Sequence, residues 1–539
     1  MISNPMIRGF APDPSILKRE DTYYLANSSF EWYPRIPIHR SKDLVTWEYA
    51  GCLDGPDLGL TLTGVPDSGG IWAPSLSFSE GLFWLTFSVI YRMGNGAKEL
   101  RTFVTTSEDI AGPWRQPTRV PGHGFDPSIF HHDGKHWLLN MQWDPRPGHN
   151  SFAGITLQQL NRDGTDVIGT PNLIHQREML IEGPNLYYHD GWFHLMLAEG
   201  GTGPRHGIAM MRSRSVLGPY EPDPQHALLT TRDDPAHPLQ KAGHGELVQT
   251  ADGRWYLVHL ASRWLESPTG PQSILGRETC IQEVYWNDEG WLRLAAGGWH
   301  PQLEITSLGS DEPTQACHDA ALDADLTALT WPWSSLRRTI SPEWADTSSR
   351  PGWLRLTGAD SPDSLFEQSL IARRVTEHNL SASVLLDAEP RTFTQAAGLT
   401  FHYNTSAWFF LQLTWIEPPG EDPAGQQWNE RGSYTLRLLM RDQDTLRYVA
   451  DPVLLGQGPV RLHAELREGD LRFFWSTQDS DDRKPIGLDC DGKILSDDHG
   501  DKLRFTGCFV GIRVDDHTGE GFTADFSDFT YSAKEKPLP

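Results

Sequence analysis

Gly9-Phe10-Ala11-Pro12-Asp13-Pro14-Ser15-Ile16 sets one carboxylate between two prolines at the mouth of an apolar run, Ile16-Leu17. Proline fixes its own φ and biases the residue before it toward extended geometry. The stretch therefore predicts an extended, stiffly held Asp13 just ahead of a strand. The same pattern returns along the chain. Asp13-Pro14-Ser15-Ile16 is followed by Asp21-Thr22-Tyr23-Tyr24-Leu25, and Ala73-Pro74-Ser75-Leu76 by Glu80-Gly81-Leu82-Phe83-Trp84-Leu85. Asp126-Pro127-Ser128-Ile129 precedes Asp133-Gly134-Lys135-His136-Trp137-Leu138. Gly183-Pro184-Asn185-Leu186 precedes Asp190-Gly191-Trp192-Phe193-His194-Leu195. Gly245-Glu246-Leu247-Val248, without the proline, precedes Asp252-Gly253-Arg254-Trp255-Tyr256-Leu257.

Each unit reads as a short apolar strand, a turn and an aromatic strand, with a further strand and a Trp or Tyr later. The spacing of roughly 50–60 residues suits one four-stranded propeller blade per unit. Five units predict a five-bladed β-propeller with the first strand of each blade innermost. Asp13, Trp72-Ala73, Asp126, Glu182 and His244 then form a ring at one end of the central channel. A carboxylate at a turn is ordinarily a turn former. Three on one axis raise one another's pKa and cost stability, an arrangement found at functional sites.

With 539 residues, the chain exceeds a single ordinary core. Its 21 Trp, 22 Phe and 14 Tyr mark it as globular, and its scarce 3.6-residue periodicity favours strands. A net charge of -25 argues against nucleic acid and anionic membrane as partners, but not against a neutral polar substrate. Cys52, Cys280, Cys317, Cys490 and Cys508 show no CxxC spacing, so neither a disulfide framework nor a zinc site is expected. No secretory leader pattern and no apolar run of membrane-spanning length are evident, which leads to the expectation of a cytoplasmic protein.

The repeat fades after Trp299-His300-Pro301. The predicted division is a propeller over 1–305, a polar linker over 306–325 and a second domain over 326–539. Runs such as Leu380-Ser381-Ala382-Ser383-Val384-Leu385-Leu386 and Phe409-Phe410-Leu411-Gln412-Leu413 make the second domain a β-sandwich of jelly-roll or concanavalin type. It serves either as a packing partner or to place a loop residue, Phe509, over the channel.

The ordered set GFAPDPS, Gly70-Ile71-Trp72-Ala73-Pro74-Ser75, Gly124-Phe125-Asp126-Pro127-Ser128, Ile181-Glu182-Gly183-Pro184, Ala198-Glu199-Gly200-Gly201-Thr202 and Leu275-Gly276-Arg277-Glu278-Thr279 resembles glycoside hydrolase family 43. The likeness is to its two-domain β-xylosidases, and it extends to Gln395-Ala396-Ala397-Gly398-Leu399 and Gly507-Cys508-Phe509-Val510-Gly511. The resemblance implies Asp13 as general base, Glu182 as general acid, and Asp126 as the carboxylate that orients the acid and tunes its pKa. It implies a sugar pocket lined by Phe30, Trp72, Ala73, Trp143, Thr202 and Arg277, closed by Phe509. It requires no cofactor, although in some members the equivalent of His244 helps hold calcium or its water shell. It implies xylooligosaccharides as substrate and a homo-oligomer, a dimer or tetramer.

Acetal hydrolysis needs a proton for the leaving oxygen and a nucleophile at the anomeric carbon, which two carboxyl groups supply. In inverting enzymes they stand about 6.5–9.5 Å apart, with water between base and sugar. The implied activity is exo-acting, inverting release of xylose from β-1,4-xylooligosaccharides, with α-L-arabinofuranosidase as a side or rival main activity. A retaining fructosidase would carry Asn-Asp-Pro-Asn-Gly and Glu-Cys where this chain has Pro12-Asp13-Pro14-Ser15 and Glu182-Gly183. A non-catalytic carbohydrate-binding propeller would need the aromatics but not three intact carboxylates.

Overall fold

The computed structural model describes every residue except 1, 56–57, 95, 306–324, 417–431, 479, 481 and 535–539. The linker expected over 306–325 thus falls almost wholly outside the described residues. Two compact units divide the chain: Met1–Trp264 with Arg277–His318, and Leu265–Gly276 with Asp319–Pro537. The division departs from a contiguous split because Leu265–Gly276 belongs to the second unit. Ile274 and Leu275 are fully buried in that unit's core. Cys508 donates its N–H to the Ile274 carbonyl at 2.9 Å, and Ser273 donates its own to Ser496 Oγ at 2.8 Å.

The first unit is five antiparallel blades. Their innermost strands are Ser15–Arg19, Ser75–Ser79, Gly124–His132, Ile181–His189 and Gln240–Gln249, the five repeats read from the sequence. Aromatic second strands pair antiparallel with them, Leu82–Gly94 in unbroken register and Trp192–Glu199 across one register shift. Alternating apolar side chains of neighbouring blades fill the spaces between, as with Leu25, Val258 and Ile281.

Polar side chains stitch the inner strands to one another. Leu76 N–H donates to Ser15 Oγ at 2.8 Å, and Ser128 Oγ donates to the Pro184 carbonyl. Asn185 Nδ2 donates to the Gly245 carbonyl at 3.1 Å, and Ile16 N–H donates to Glu246 Oε2 at 2.7 Å. The ring closes where Ile2–Ser3 pairs antiparallel with Glu304–Ile305, joining the beginning of the unit to its end.

The second unit is a β-sandwich. One sheet places Gln395–Asn404 between Ala407–Ile416 and Phe509–Asp516. The other places Asn379–Ala388 between Thr523–Ala533 and Val460–Arg467. Leu399, Phe401 and Phe409 of the first sheet and Val384, Leu462 and Phe473 of the second share one core. Phe401 meets Phe473 edge-on, with ring centroids 6.2 Å apart. Among the described residues the regular structure is strand, apart from a 3₁₀ turn at Gly492–Ile494.

Candidate active site

The catalytic candidates owe their placement to irregularity at the mouths of the inner strands. Register shifts fall between Phe125 and Ser128, between Glu182 and Asn185, and between Gly243 and Gly245. Such bulges leave a residue unpaired and re-aim its neighbours. At the matching positions Asp13 has φ 50, Asp126 φ 50, Gly183 φ 53 and His244 φ 43. The extended geometry expected of Asp13 is therefore corrected: it is left-handed despite the proline that follows. The strain of that conformation is offset by the bonds its carboxylate makes. Glu182 stands one position earlier in its motif than Asp13 and Asp126 do, with Gly183 taking the left-handed turn.

Asp13 is 5 % exposed. It accepts from Ser28 Oγ at 2.6 Å and from Arg277 Nη1 at 3.0 Å, with His244 Nδ1 3.8 Å away. Burial pushes its carboxyl up, but Arg277, His244 and Ser28 outweigh burial and hold it below the usual range. Arg277 comes from 264 positions along the chain. Its carbonyl accepts from Ala11 N–H at 3.0 Å, which keeps the guanidinium and the Asp13 loop in step. Next to it, the fully buried Glu278 accepts two 2.8 Å bonds from Arg263. Glu278 also accepts one of 2.7 Å from Gly9 N–H.

Glu182 moves the opposite way. Burial and then the Asp13 charge push it up to about 7, against Lys98 and Arg277. Burial, Glu182 and Asp13 together push Asp126 well up. Asp126 Oδ2 accepts from Gly183 N–H at 3.1 Å and so fixes the backbone that carries Glu182. Three carboxyls close enough to act on one another thus hold different protonation states at one pH.

An aromatic wall adjoins them. Phe30 exchanges backbone bonds with Ile71, and its ring lies 5.9 Å from Phe10 and 6.2 Å from Trp72. The Arg277 guanidinium is 5.7 Å from Phe30. Trp72 donates Nε1–H to the Ser68 carbonyl at 2.9 Å and meets Phe125 edge-on at 5.1 Å. Ala73 and His244 line the axial void beside Asp126. Trp143 belongs to the same wall but carries a cation: Lys98 Nζ lies 3.4 Å from its ring centroid. Thr202 lies on the turn between the strands Trp192–Glu199 and Gly207–Ser213, and among the described residues it makes no hydrogen bond with the carboxylates. Phe509 opens the strand Phe509–Asp516 of the second unit, paired with Arg374 and His402. Among the described residues no group of three or more His, Cys, Asp and Glu is placed to hold a metal ion; His244 Nδ1 lies 3.8 Å from Asp13 Oδ1.

Sequence reading missed Ser28, Lys98, His206 and the Arg263–Glu278 pair. Ser28 follows an aromatic strand in the polar run Asn27-Ser28-Ser29, all buried, and such a run at a strand end was the available signal. Lys98 follows Gly94 and Gly96, which mark a hairpin but not where its side chains point.

One buried carboxyl drawn down by its cationic neighbours and another pushed up by burial, against an aromatic wall at the mouth of a propeller, are the working parts of a glycoside hydrolase. Residues 2–292 match glycosyl hydrolases family 43, and residues 325–532 match the beta xylosidase C-terminal concanavalin A-like domain. The chain belongs to glycosyl hydrolase family 43. It is 35% identical to a xylan 1,3-beta-xylosidase of Vibrio sp, covering 98% of this chain and 99% of that protein. It is 37% identical to xylosidase/arabinosidase 43B of Humicola insolens, covering 99% and 98%. The crystal structure of xylan beta-1,4-xylosidase from Bacillus halodurans C-125 superposes with a TM-score of 0.92 at 37% identity, covering 99% of this chain and 100% of that one.

Proposed function

We propose that the enzyme is an exo-acting, inverting β-xylosidase that releases xylose from the non-reducing end of β-1,4-xylooligosaccharides, with α-L-arabinofuranosidase as a side activity. The observation that carries this reading is the set of three buried carboxyls at the mouths of the inner strands: Asp13 held by Ser28 and Arg277, Asp126 bonded to the backbone next to Glu182, with the Arg277 charge drawing the Asp13 carboxyl down and burial pushing that of Glu182 up. Asp13 takes a proton from water as its oxygen attacks the anomeric carbon. Glu182 gives its proton to the departing glycosidic oxygen as that bond breaks. Asp126 keeps Glu182 in place through Gly183. Each turnover leaves Asp13 protonated and Glu182 ionised, and exchange with solvent restores both. Phe30, Trp72 and Arg277 supply a wall and donors for one terminal pentose.

The relatives support a pentose substrate and leave the linkage to be chosen: the Bacillus halodurans protein is named for β-1,4-linked xylan and the Vibrio protein for β-1,3. The Humicola protein is named for both sugars, which supports the side activity. Proton NMR of the digestion tests the reading. β-1,4-Xylobiose is expected to yield α-xylose first and to be consumed faster than β-1,3-xylobiose or an aryl α-L-arabinofuranoside. Initial β-xylose would overturn inversion, and faster use of either competitor would overturn the specificity.

A further inference from the structure

The base stands on a turn that local rules oppose: Asp13 takes φ 50 directly before Pro14, where proline disfavours helical-type backbone. Asn27 and Ser28 hold that turn. They follow the strand Thr22–Ala26, whose register sets Ala26 opposite Ser15, so the pair runs on beside Ala11-Pro12-Asp13. Asn27 is 1 % exposed and Ser28 2 %. Asn27 Nδ2 donates to the carbonyls of Ala11 at 3.1 Å and Pro12 at 2.9 Å. Thr279 Oγ1 adds a bond to the Ala11 carbonyl at 2.7 Å. Ser28 N–H donates to the Pro12 carbonyl at 3.3 Å, and its hydroxyl to Asp13 Oδ2 at 2.6 Å. Asp13 Oδ1 accepts from Arg277 Nη1 at 3.0 Å. Each oxygen of the carboxylate thus has its own donor, one from the first blade and one from the last. The torsion about Cβ–Cγ of an aspartate is soft, and a single donor leaves the group free to turn about it. Two donors on two oxygens fix its plane.

We propose that Ser28 is a positioning residue for the base: its hydroxyl pins Oδ2, so that the carboxylate cannot turn about Cβ–Cγ and keeps its remaining lone pairs aimed at the water it activates. The proposal rests on the reading of Asp13 as general base. The groups that face Asp13 are Arg277, His244, His206 and Ser28, and its own charge acts on Asp126 and Glu182. Ser28 carries no charge. Its truncation removes one hydrogen bond and leaves the net charge of the site as it was, unlike the loss of Arg277. That bond also favours the ionised carboxylate. Without it the base binds its proton at higher pH and, once ionised, is held at one oxygen instead of two.

The test is the pH dependence of kcat/KM, which reports the free enzyme, together with kcat and KM taken separately. Both are measured for wild type, Ser28→Ala and Ser28→Thr on xylobiose, and on an aryl xyloside whose leaving group needs no acid. For Ser28→Ala the acid limb is expected to rise by about half a pH unit or more. Its kcat is expected to fall about tenfold to a hundredfold with KM little changed, because a misaimed base is felt in the transition state. Both effects are expected on both substrates, since water must be activated whatever the leaving group. Ser28→Thr, which keeps the hydroxyl, is expected to recover the wild-type limb and most of the rate. A Ser28→Ala acid limb that superposes on wild type overturns the proposal, whatever happens to the urea midpoint: a merely structural serine would lower the midpoint and leave the limb in place. A Ser28→Thr protein that loses limb and rate as Ser28→Ala does overturns it too. Asp13→Ala separates the two levels: if it turns over xylobiose normally, the reading of Asp13 falls. If it is inactive while the Ser28→Ala limb stays put, the role of Ser28 alone falls.

Discussion

Asp13 is a buried carboxylate that stays charged, and Arg277 is the main reason. Remove the guanidinium and burial, the largest influence on the group, is opposed only by His244, His206 and the Ser28 hydroxyl. The base of an Arg277→Met variant then binds its proton at higher pH. The acid limb of kcat/KM is expected to move up by about a unit or more, and an unmoved acid limb would separate Arg277 from the base. The same pair bears on stability. Asp13 has a depressed pKa, so its contribution is complete above its unfolded value, near 3.8, and is lost as pH falls through the folded one. Asp13→Ala removes the base itself, and xylobiose turnover is expected to drop by about 10²–10⁴-fold. Glu182→Gln should drop comparably on xylobiose but keep most of its rate on an activated aryl xyloside. Loss of both substrates alike would mean that the residue does more than donate a proton.

At the scale of the strand, the feature that matters is the irregular backbone at the mouths of the inner strands, a register shift in three of the five and a left-handed residue at Asp13. The sequence showed its consequence, a carboxylate ahead of Pro-Ser in two blades, but not its geometry. A proline after Asp13 argues locally for extended backbone, and the left-handed turn wins because Ser28 and Arg277, distant in sequence, hold the carboxylate in that pose. Gly183 shows the same turn without a side chain. A Cβ there would meet His244 Cε1 at 3.0 Å, so the glycine lets the strand of Glu182 approach the neighbouring blade. Arg277 was legible because its motif is short and ordered. Lys98 was not, because its partners Trp143 and Phe125 sit on another blade. Glu246, in a repeat recognised from its apolar neighbours, proved to be the acceptor that joins the last inner strand to the first through Ile16 N–H. Burial pushes its carboxyl up to about 7, against the bonds from Ser15 and Ile16. A group with a raised folded pKa binds its proton more tightly when folded. Stability therefore falls as pH rises from the unfolded value, near 4.5, toward 7, and the loss is complete above 7. Glu246→Gln keeps an acceptor and cannot ionise. Its Tm is expected to fall less than the wild-type Tm between pH 5 and pH 8, and parallel curves would refute the assignment.

For the molecule as a whole, five blades read from five repeats leave one question that no repeat answers, namely what keeps the ring shut. A propeller is a sheet array bent into a circle, and its weakest seam lies where the first and last segments of the unit meet. Here the first and last blades meet through a shared core and the Ile16–Glu246 bond, and outside them lies the two-residue ladder of Ile2–Ser3 on Glu304–Ile305, too short to hold by itself. Asn4 reinforces it. It is 1 % exposed, and its Nδ2 donates to the carbonyls of Ile281 and Gln302, each at 2.8 Å. Its Oδ1 accepts from Ile281 N–H at 2.9 Å, and its own N–H donates to the Leu303 carbonyl at 2.7 Å. One side chain thus bonds to blade 5 and to the returning strand segment, and truncating it strands two carbonyls and an amide away from water. Asn4→Ala is expected to cost about 2–4 kcal/mol, from three hydrogen bonds lost, two of them buried and one part-buried, with their partners left unpaired. The loss should appear as a lower urea midpoint with an unchanged slope, followed by the fluorescence of the propeller tryptophans. Because Asn4 is bonded to the seam and not to Asp13, Asp126 or Glu182, the pH limbs of the folded variant should coincide with wild type. A stable Asn4→Ala protein would show that blade packing alone closes the ring. A shifted acid limb would show that the seam also sets the position of Asp13.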